Sequence, residues 1–294
     1  MLKKVNWKAV LYLFIWLVCL SGLVVLMGFI EVRKSAVRCT DVKIYIPGTR
    51  GFIDRAEIDV MLLSAQGPLA GRMLSKINIH QLENRLKANP FIEDANIYAD
   101  MDGVIHVAIR QREPILRILN LTNQDFYIDH NGFKIPTSED FTARVLVSNG
   151  FIIENFSGKV DTIDTKLVND LYHIAAFIRK DSLWNDQIEQ LYVNEQTEIE
   201  MVPRIGNHKI ILGDADSLQV KFRNLLAFYK NALPKVGWEA YKTINLRYAN
   251  QVVAERNLSA WQTIADKRAK AEAALKKIAD SIKLTKEITS TVNN

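Results

Sequence analysis

The sequence predicts an α+β protein in three parts: one N-terminal transmembrane helix, a small β-α-α-β-β module, and a larger mixed β domain with two helices. Three observations carry this. Residues 9–30 contain no charged side chain. Over 39–112, alternating apolar patterns trade places with helical ones. From 113 to 254, short branched or aromatic runs are divided by Gly, Asn and Pro. The 294 residues allow one or two domains, each long enough to bury a core. A composition 48% hydrophobic and 24% charged excludes wholesale disorder, and a single bilayer-length apolar run excludes a multi-pass transporter. Two cysteines exclude a disulfide-stapled scaffold or a cysteine-rich zinc module. A net charge of +5 is too small a bias to mark a nucleic-acid binder.

The run Ala9–Ile30, AVLYLFIWLVCLSGLVVLMGFI, would make a helix of roughly 33 Å against a hydrocarbon core of about 30 Å. Trp7 and Tyr12 sit near one edge, where amphipathic rings favour the headgroup level. A cleaved signal peptide would have a shorter apolar region and a small-x-small site, but Glu31-Val32-Arg33-Lys34 follows here. An uncleaved anchor over 9–30 is therefore expected, contacting the lipid bilayer, with residues 31–38 as a linker. Lys3, Lys4 and Lys8 before the run nearly balance Arg33, Lys34 and Arg38 after it, so charge alone does not orient it. The expectation is a short cytoplasmic N-terminus, residues 1–8, with the bulk outside. Cys19 and Cys39 fit either side and lie too far apart to pair within one chain.

Asp41-Val42-Lys43-Ile44-Tyr45-Ile46 alternates as a half-buried strand, and Pro47-Gly48 ends it. Asp54 and Glu57 have capping-box spacing ahead of Ile58, Met61 and Leu62. Gly67-Pro68 closes that helix. A second helix, His80 to Ala88, buries Leu82 and Leu86 and stops at Asn89-Pro90. Phe91–Tyr98 and Val104–Ile109 then read as strands joined through Asp102-Gly103. This order predicts a small sheet with two helices on one face and an exposed edge able to accept another strand.

In 113–254, strands are expected at Ile115–Leu119, Phe126–Ile128 and Arg144–Val147, with turns at Asn131-Gly132 and Asn149-Gly150. Leu167, Leu171, Ile174, Ala175 and Ile178 mark a helix over Asp164–Lys180. Strands follow at Ile188–Val193, Glu198–Val202 and Lys209–Leu212. Asp216, with Gln219 three residues on, is read as the cap of a helix whose stripe is Leu218, Phe222, Leu225, Leu226 and Tyr229. Thr243–Tyr248 alternates as a final strand. Residues 255–294 are rich in Ala and Lys and lack Gly and Pro, so they read as a solvated tail, helical or disordered.

Catalytic constellations are missing. The sequence contains no G-x-S-x-G, P-loop, G-x-G-x-x-G or H-E-x-x-H. His80, His106, His130, His173 and His208 have no metal-ligand spacing. Asp214-Ala215-Asp216 imitates the start of a calcium loop, but neither the Gly nor the closing Glu follows. Basic residues do not interleave with aromatics along one stripe, which disfavours nucleic acid. The reading is a binding protein with no catalytic residue, metal or cofactor; an anchored enzyme is disfavoured.

The run Asn89-Pro90-Phe91-Ile92-Glu93-Asp94-Ala95, the hairpin after it, and Arg110-Gln111-Arg112-Glu113-Pro114 resemble the end of a POTRA domain, placing that domain over 39–112. A POTRA directly after a single anchor resembles the FtsQ/DivIB cell-division family, although Met101-Asp102-Gly103 stands where that family often has a Trp-Pro turn. Residues 113–254 resemble the family's β domain in Tyr127–Pro136, in the strand–Gly–helix run Ile210–Phe222, and in Ile244-Asn245-Leu246-Arg247-Tyr248, where Asn245 replaces the usual Asp.

The resemblance implies a non-enzymatic divisome scaffold at the septum of the bacterial inner membrane, single-pass, with its C-terminal domains periplasmic. Implied partners are FtsB-like and FtsL-like bitopic coiled-coil proteins and other divisome membrane proteins, with no nucleic acid. The implied docking site is the last strand and its continuation: Leu246, Arg247, Tyr248, Ala249, Asn250, Gln251, Val252 and Val253. A terminal strand supplies unpaired backbone groups, Arg247 a fork for a carboxylate and Tyr248 a rigid ring. Alternation sends Arg247 and Tyr248 to opposite faces, so a buried Tyr248 and a solvated Arg247 stay open. The POTRA edge is implied in recruitment. The rival reading is a POTRA-bearing component of protein export or outer-membrane assembly.

Overall fold

The structure, a computed structural model, describes residues 7–48, 51–248 and 251–292; the side chains of 7–10, 26–36 and 280–292 lie outside that description. The helix α1 spans Trp7–Ala36. The transmembrane helix expected over 9–30 is corrected, because among the described residues no helix is long and apolar enough to cross a membrane. The single-pass topology and bilayer contact expected of 9–30 rested on that helix.

The chain divides into two compact units, residues 1–112 with 138–142, and residues 113–137 with 143–294. The first holds β1 (Asp41–Tyr45), α2 (Arg55–Gln66), a 3-10 turn at Leu74–Lys76, α3 (Ile79–Lys87), β2 (Ile92–Ala99) and β3 (Val104–Gln111). Its sheet runs β1-β3-β2, with β1 parallel and β2 antiparallel to β3. The Asp54 carboxylate caps α2 by accepting from Glu57 N at 2.8 Å, and Asn78 caps α3 through Gln81 N at 3.0 Å. Ile58 and Leu62 of α2 and Leu82 and Leu86 of α3 are buried with Ile97, Ile105, Val107 and Ile109 of the sheet, which fixes the helices to one face. Asp100 holds the hairpin by accepting from Asp102 N and Val104 N. Gly103 is required there: its φ is +88°, and a Cβ would collide with the Arg38 carbonyl.

The second unit carries a ten-stranded mixed sheet. Its elements are β4 (Pro114–Ile118), β5 (Phe126–Asp129), β6 (Phe133–Pro136), β7 (Leu146–Gly150), β8 (Asp161–Thr162), α4 (Lys166–Arg179), α5 (Ser182–Gln187), β9 (Ile188–Val193), β10 (Ile199–Pro203) and β11 (Lys209–Gly213). Then come α6 (Leu218–Asn231), α7 (Leu233–Val236), a 3-10 turn at Trp238–Ala240, β12 (Tyr241–Asn245), β13 (Val253–Arg256) and α8 (Leu258–Val292). The spatial order is β13-β12-β11-β10-β9-β7-β4-β5-β6-β8. Leu171, Ile174 and Ile178 of α4 and Phe222 and Leu225 of α6 share one core with Leu116, Leu191, Met201, Ile210 and Ile244 of the strands. Trp184 of α5 is buried edge-on to Phe222, ring centroids 5.0 Å apart.

Several local expectations change. Asn149-Gly150 is strand, not turn: the two residues pair with Tyr192 and Val193 of β9, so β7 runs past the expected Val147. The cap of α6 is Ser217, in left-handed geometry with no side-chain cap bond, whereas Asp216 N turns back to Asp214 Oδ1. The final alternating strand stops at Asn245, because its side-chain oxygen accepts from Arg247 N at 3.0 Å and turns the chain out of the ladder. The tail is helical from Leu258.

His208 is buried just before β11, with Nε2 2.9 Å from the Tyr229 hydroxyl and the Trp238 ring nearby. Burial holds its pKa below the ordinary 6.5, outweighing the weaker opposing effects of Trp238 and Glu239. The folded state therefore binds this proton less readily than the unfolded chain. The associated stability is intact above about pH 6.5 and declines as pH falls towards the folded value, by up to about 1.4 kcal/mol per pH unit. Urea unfolding between pH 7.5 and 5 should show that slope, and His208→Phe should flatten it.

Candidate partner-binding edge

The end of the large sheet is built from β12 and β13. β12 lies parallel to β11 on one side and antiparallel to β13 on the other, with Ile244 opposite Ala254 and Asn245 opposite Val253. The backbone of β12 is thus satisfied within the chain, and β13 is the terminal strand of the sheet order. It is four residues long, and Val253, Glu255 and Arg256 are exposed. Glu255 is tied back to β12, accepting from Thr243 Oγ1 at 3.3 Å and facing Lys242 Nζ at 3.9 Å.

The eight residues expected to dock a partner do not form one strand. Leu246 is core, 2% exposed, and its N–H donates to the Ile211 carbonyl at 2.8 Å. Arg247 is already engaged within the chain: its guanidinium pairs with Glu198, Nε reaches Asn245 Oδ1 at 3.3 Å, and its stem packs where a Gly213 side chain would stand. Tyr248 is 47% exposed, with the Arg247 guanidinium 5.9 Å from its ring centre. Ala249 and Asn250 lie outside the described residues. Gln251 is exposed, Val252 packs half-buried against the core, and Val253 opens β13. The structure brings Arg247 and Tyr248 together with Glu198 of the β9–β10 connection, and it moves the free edge to 253–256.

Sequence reasoning missed Glu198, Ala254, Glu255, Arg256 and Trp261. Trp261 fixes the end of the edge strand: its indole N–H donates to the Ala240 carbonyl at 2.7 Å, its ring lies 4.6 Å from the Arg256 guanidinium, and Asn257 N donates to the same carbonyl. The adjacent β-branched Val252-Val253 and the polar Asn257 before Leu258 were the available signals for a strand running into a helix.

The first unit offers a second edge, β1, beside a shallow groove lined by Tyr45, Tyr98, His106 and Ala108. The Tyr98 and His106 rings stack at 4.9 Å, and His106 Nε2 lies 3.1 Å from the Asp100 carboxylate. Among the described residues no group of three His, Cys, Asp or Glu could hold a metal ion.

A three-stranded sheet backed by two helices, followed by a mixed sheet ending in an open edge, defines a protein that pairs a POTRA-like module with a β domain. The comparisons with known proteins place both parts. A POTRA-like domain model matches residues 37–110, and the model described as FtsQ/DivIB, C-terminal related, matches residues 113–255. The cell division protein FtsQ of Rickettsia bellii (strain RML369-C) is 28% identical over 114 residues, which is 38% of this chain and 39% of that protein. The chain thus spans about two fifths of the length of that curated relative. The two domain matches and this relative together support the FtsQ/DivIB family.

Proposed function

We propose that this protein is a non-enzymatic scaffold of the division septum that holds FtsB-like and FtsL-like coiled-coil proteins, and through them other divisome proteins, by adding a partner strand to β13. Membership of a family that is in general non-enzymatic supports the first half. The position of β13 supports the second. As the terminal strand of a ten-stranded sheet, it pairs on one side with β12 and has no neighbouring strand on the other among the described residues. Unpaired backbone groups at such an edge give affinity, while side chains beside it give register. Tyr248 is the aromatic anchor, held against Arg247, and the Arg247–Glu198 pair keeps the loop before β13 in place.

Amide exchange tests this directly. With the extracytoplasmic segment of an FtsB-like partner added, exchange at residues 253–256 should slow at least tenfold. Protection confined to residues outside 246–256 would end the proposal. Tyr248→Ala should weaken partner capture by roughly 1–2 kcal/mol, about 5–30-fold, with unfolding unchanged. Arg247→Glu should weaken it also, by setting two carboxylates against each other at Glu198.

A further inference from the structure

The alternation of hydrogen bonds along a strand decides which backbone groups of β13 are open. Successive residues of a strand turn their N–H and C=O groups to opposite sides. Leu246 N donates to the Ile211 carbonyl, so Leu246 and, two residues earlier, Ile244 turn towards β11. Thr243 and Asn245 then turn towards β13, where their register partners are Glu255 and Val253. At the far end of the strand Asn257 N donates to the Ala240 carbonyl, which keeps the same parity. Val253 and Glu255 are therefore bonded to β12, and the open N–H and C=O groups of β13 belong to Ala254 and Arg256.

The side chains at these two positions share a face. Ala254 lies opposite the fully buried Ile244, so a residue paired with Ala254 extends an apolar row at the rim of the core. Arg256 is exposed, and its guanidinium sits 4.6 Å from the centre of the Trp261 ring, which the indole bond to Ala240 holds in place. Arg247 commits its fork to Glu198, and Arg268 donates to the Lys235 carbonyl. Arg256 forms no ion pair among the described residues. A guanidinium oriented on a fixed ring, beside open backbone groups, is built to receive a carboxylate.

We infer that the strand received by β13 runs antiparallel to it and carries a carboxylate two residues before a bulky apolar residue. The carboxylate pairs with Arg256, and the apolar side chain covers Ala254. Antiparallel pairing lets one partner residue exchange both bonds with Ala254 and another both bonds with Arg256. The inference rests on the docking proposed above for β13 and names the chemistry of its occupant.

The test is amide exchange resolved to single residues in the full-length chain, with and without the extracytoplasmic segment of an FtsB-like partner. Within residues 253–256 the slowing should fall on Ala254 and Arg256, because Val253 and Glu255 are already bonded to β12. Arg256→Glu should weaken capture of that segment about tenfold. Replacing the acidic residue of the segment's own protected strand by Lys should restore capture by this variant. Slow exchange at Val253 and Glu255 in the variant alone shows that β13 still forms. Should it fray, Arg256→Lys, which keeps the charge without the fork, should weaken capture several-fold. Protection of Ala254 and Arg256 with capture indifferent to both variants would overturn the carboxylate pairing and leave the edge docking standing. A restoring position two residues after the apolar one would overturn the direction. Protection confined to residues outside 246–256 would remove the docking, and this inference with it.

Discussion

Lys134→Ala is expected to cost the second unit about 3–5 kcal/mol. The Lys134 side chain is fully buried on β6, and its ammonium donates to Glu154 Oε1 at 3.2 Å, the Asn155 carbonyl at 2.7 Å and Asp164 Oδ2 at 2.7 Å. Burial works against the charge, but the bonds to Asp164 and Glu154 outweigh it and hold the lysine pKa above its ordinary value. Glu154, also buried, accepts from Asp164 N, Thr165 N and the Thr165 hydroxyl, and Thr165 caps α4. Removing the lysine leaves a carboxylate buried beside that helix start without its counterion. Replacing both as Lys134→Met with Glu154→Gln should cost clearly less than the two single changes summed, because the stranded charge disappears. Urea titration of the four variants gives the coupling directly. By contrast, the exposed Arg55–Asp59 pair at 3.9 Å should be worth under about 1 kcal/mol.

The second large effect is Gly150→Ala. Gly150 has φ +102° and sits in β7 opposite Val193 of β9, where a Cβ would fall on the Val193 carbonyl and 2.9 Å from its nitrogen. Backbone strain of about 1–3 kcal/mol adds to a backbone collision that no rotamer change can relieve. The expected loss is about 3 kcal/mol or more, a fall in Tm of roughly 6–12 °C for a unit of this size. Gly158 is the control: its φ is +77°, but nothing lies within 4 Å of the added carbon. Gly158→Ala should cost about 1 kcal/mol, and equal effects at the two sites would disprove the collision.

Gly150 also shows where sequence reading loses information. An Asn-Gly pair is a strong turn signal, and at Asn131-Gly132 the structure turns there. At Asn149-Gly150 the glycine's freedom serves a close approach of two backbones inside a sheet, which no local pattern reports. The small module was legible because its signals are local: Asp54 and Asn78 cap helices, Asn89-Pro90 ends one, and Asp102-Gly103 reverses a hairpin. The edge proposed for docking was half legible. Alternation over 243–248 marked the end of the sheet, but the Asn245 side chain withdraws Leu246 to the core and Arg247 to Glu198. The edge passes to Val253–Arg256, a strand too short to show a period and recognised only by its pairing. Glu198 lies 49 residues from Arg247, and nothing in the sequence joins them.

The order of the strands has a consequence for how the protein is made. β4 pairs in parallel with β7, β7 with β9, and β11 with β12, so each of these contacts closes across intervening helices, hairpins or loops. On a ribosome, the β4–β5–β6 meander can close early, yet its β4 edge waits for residues 146–150 and its β6 edge for 161–162, and β7 in turn waits for 190–193. The sheet is complete only after residue 256 has emerged. Until then the nascent chain presents a succession of unpaired edges, which makes this unit a slow folder and a natural client for holding chaperones.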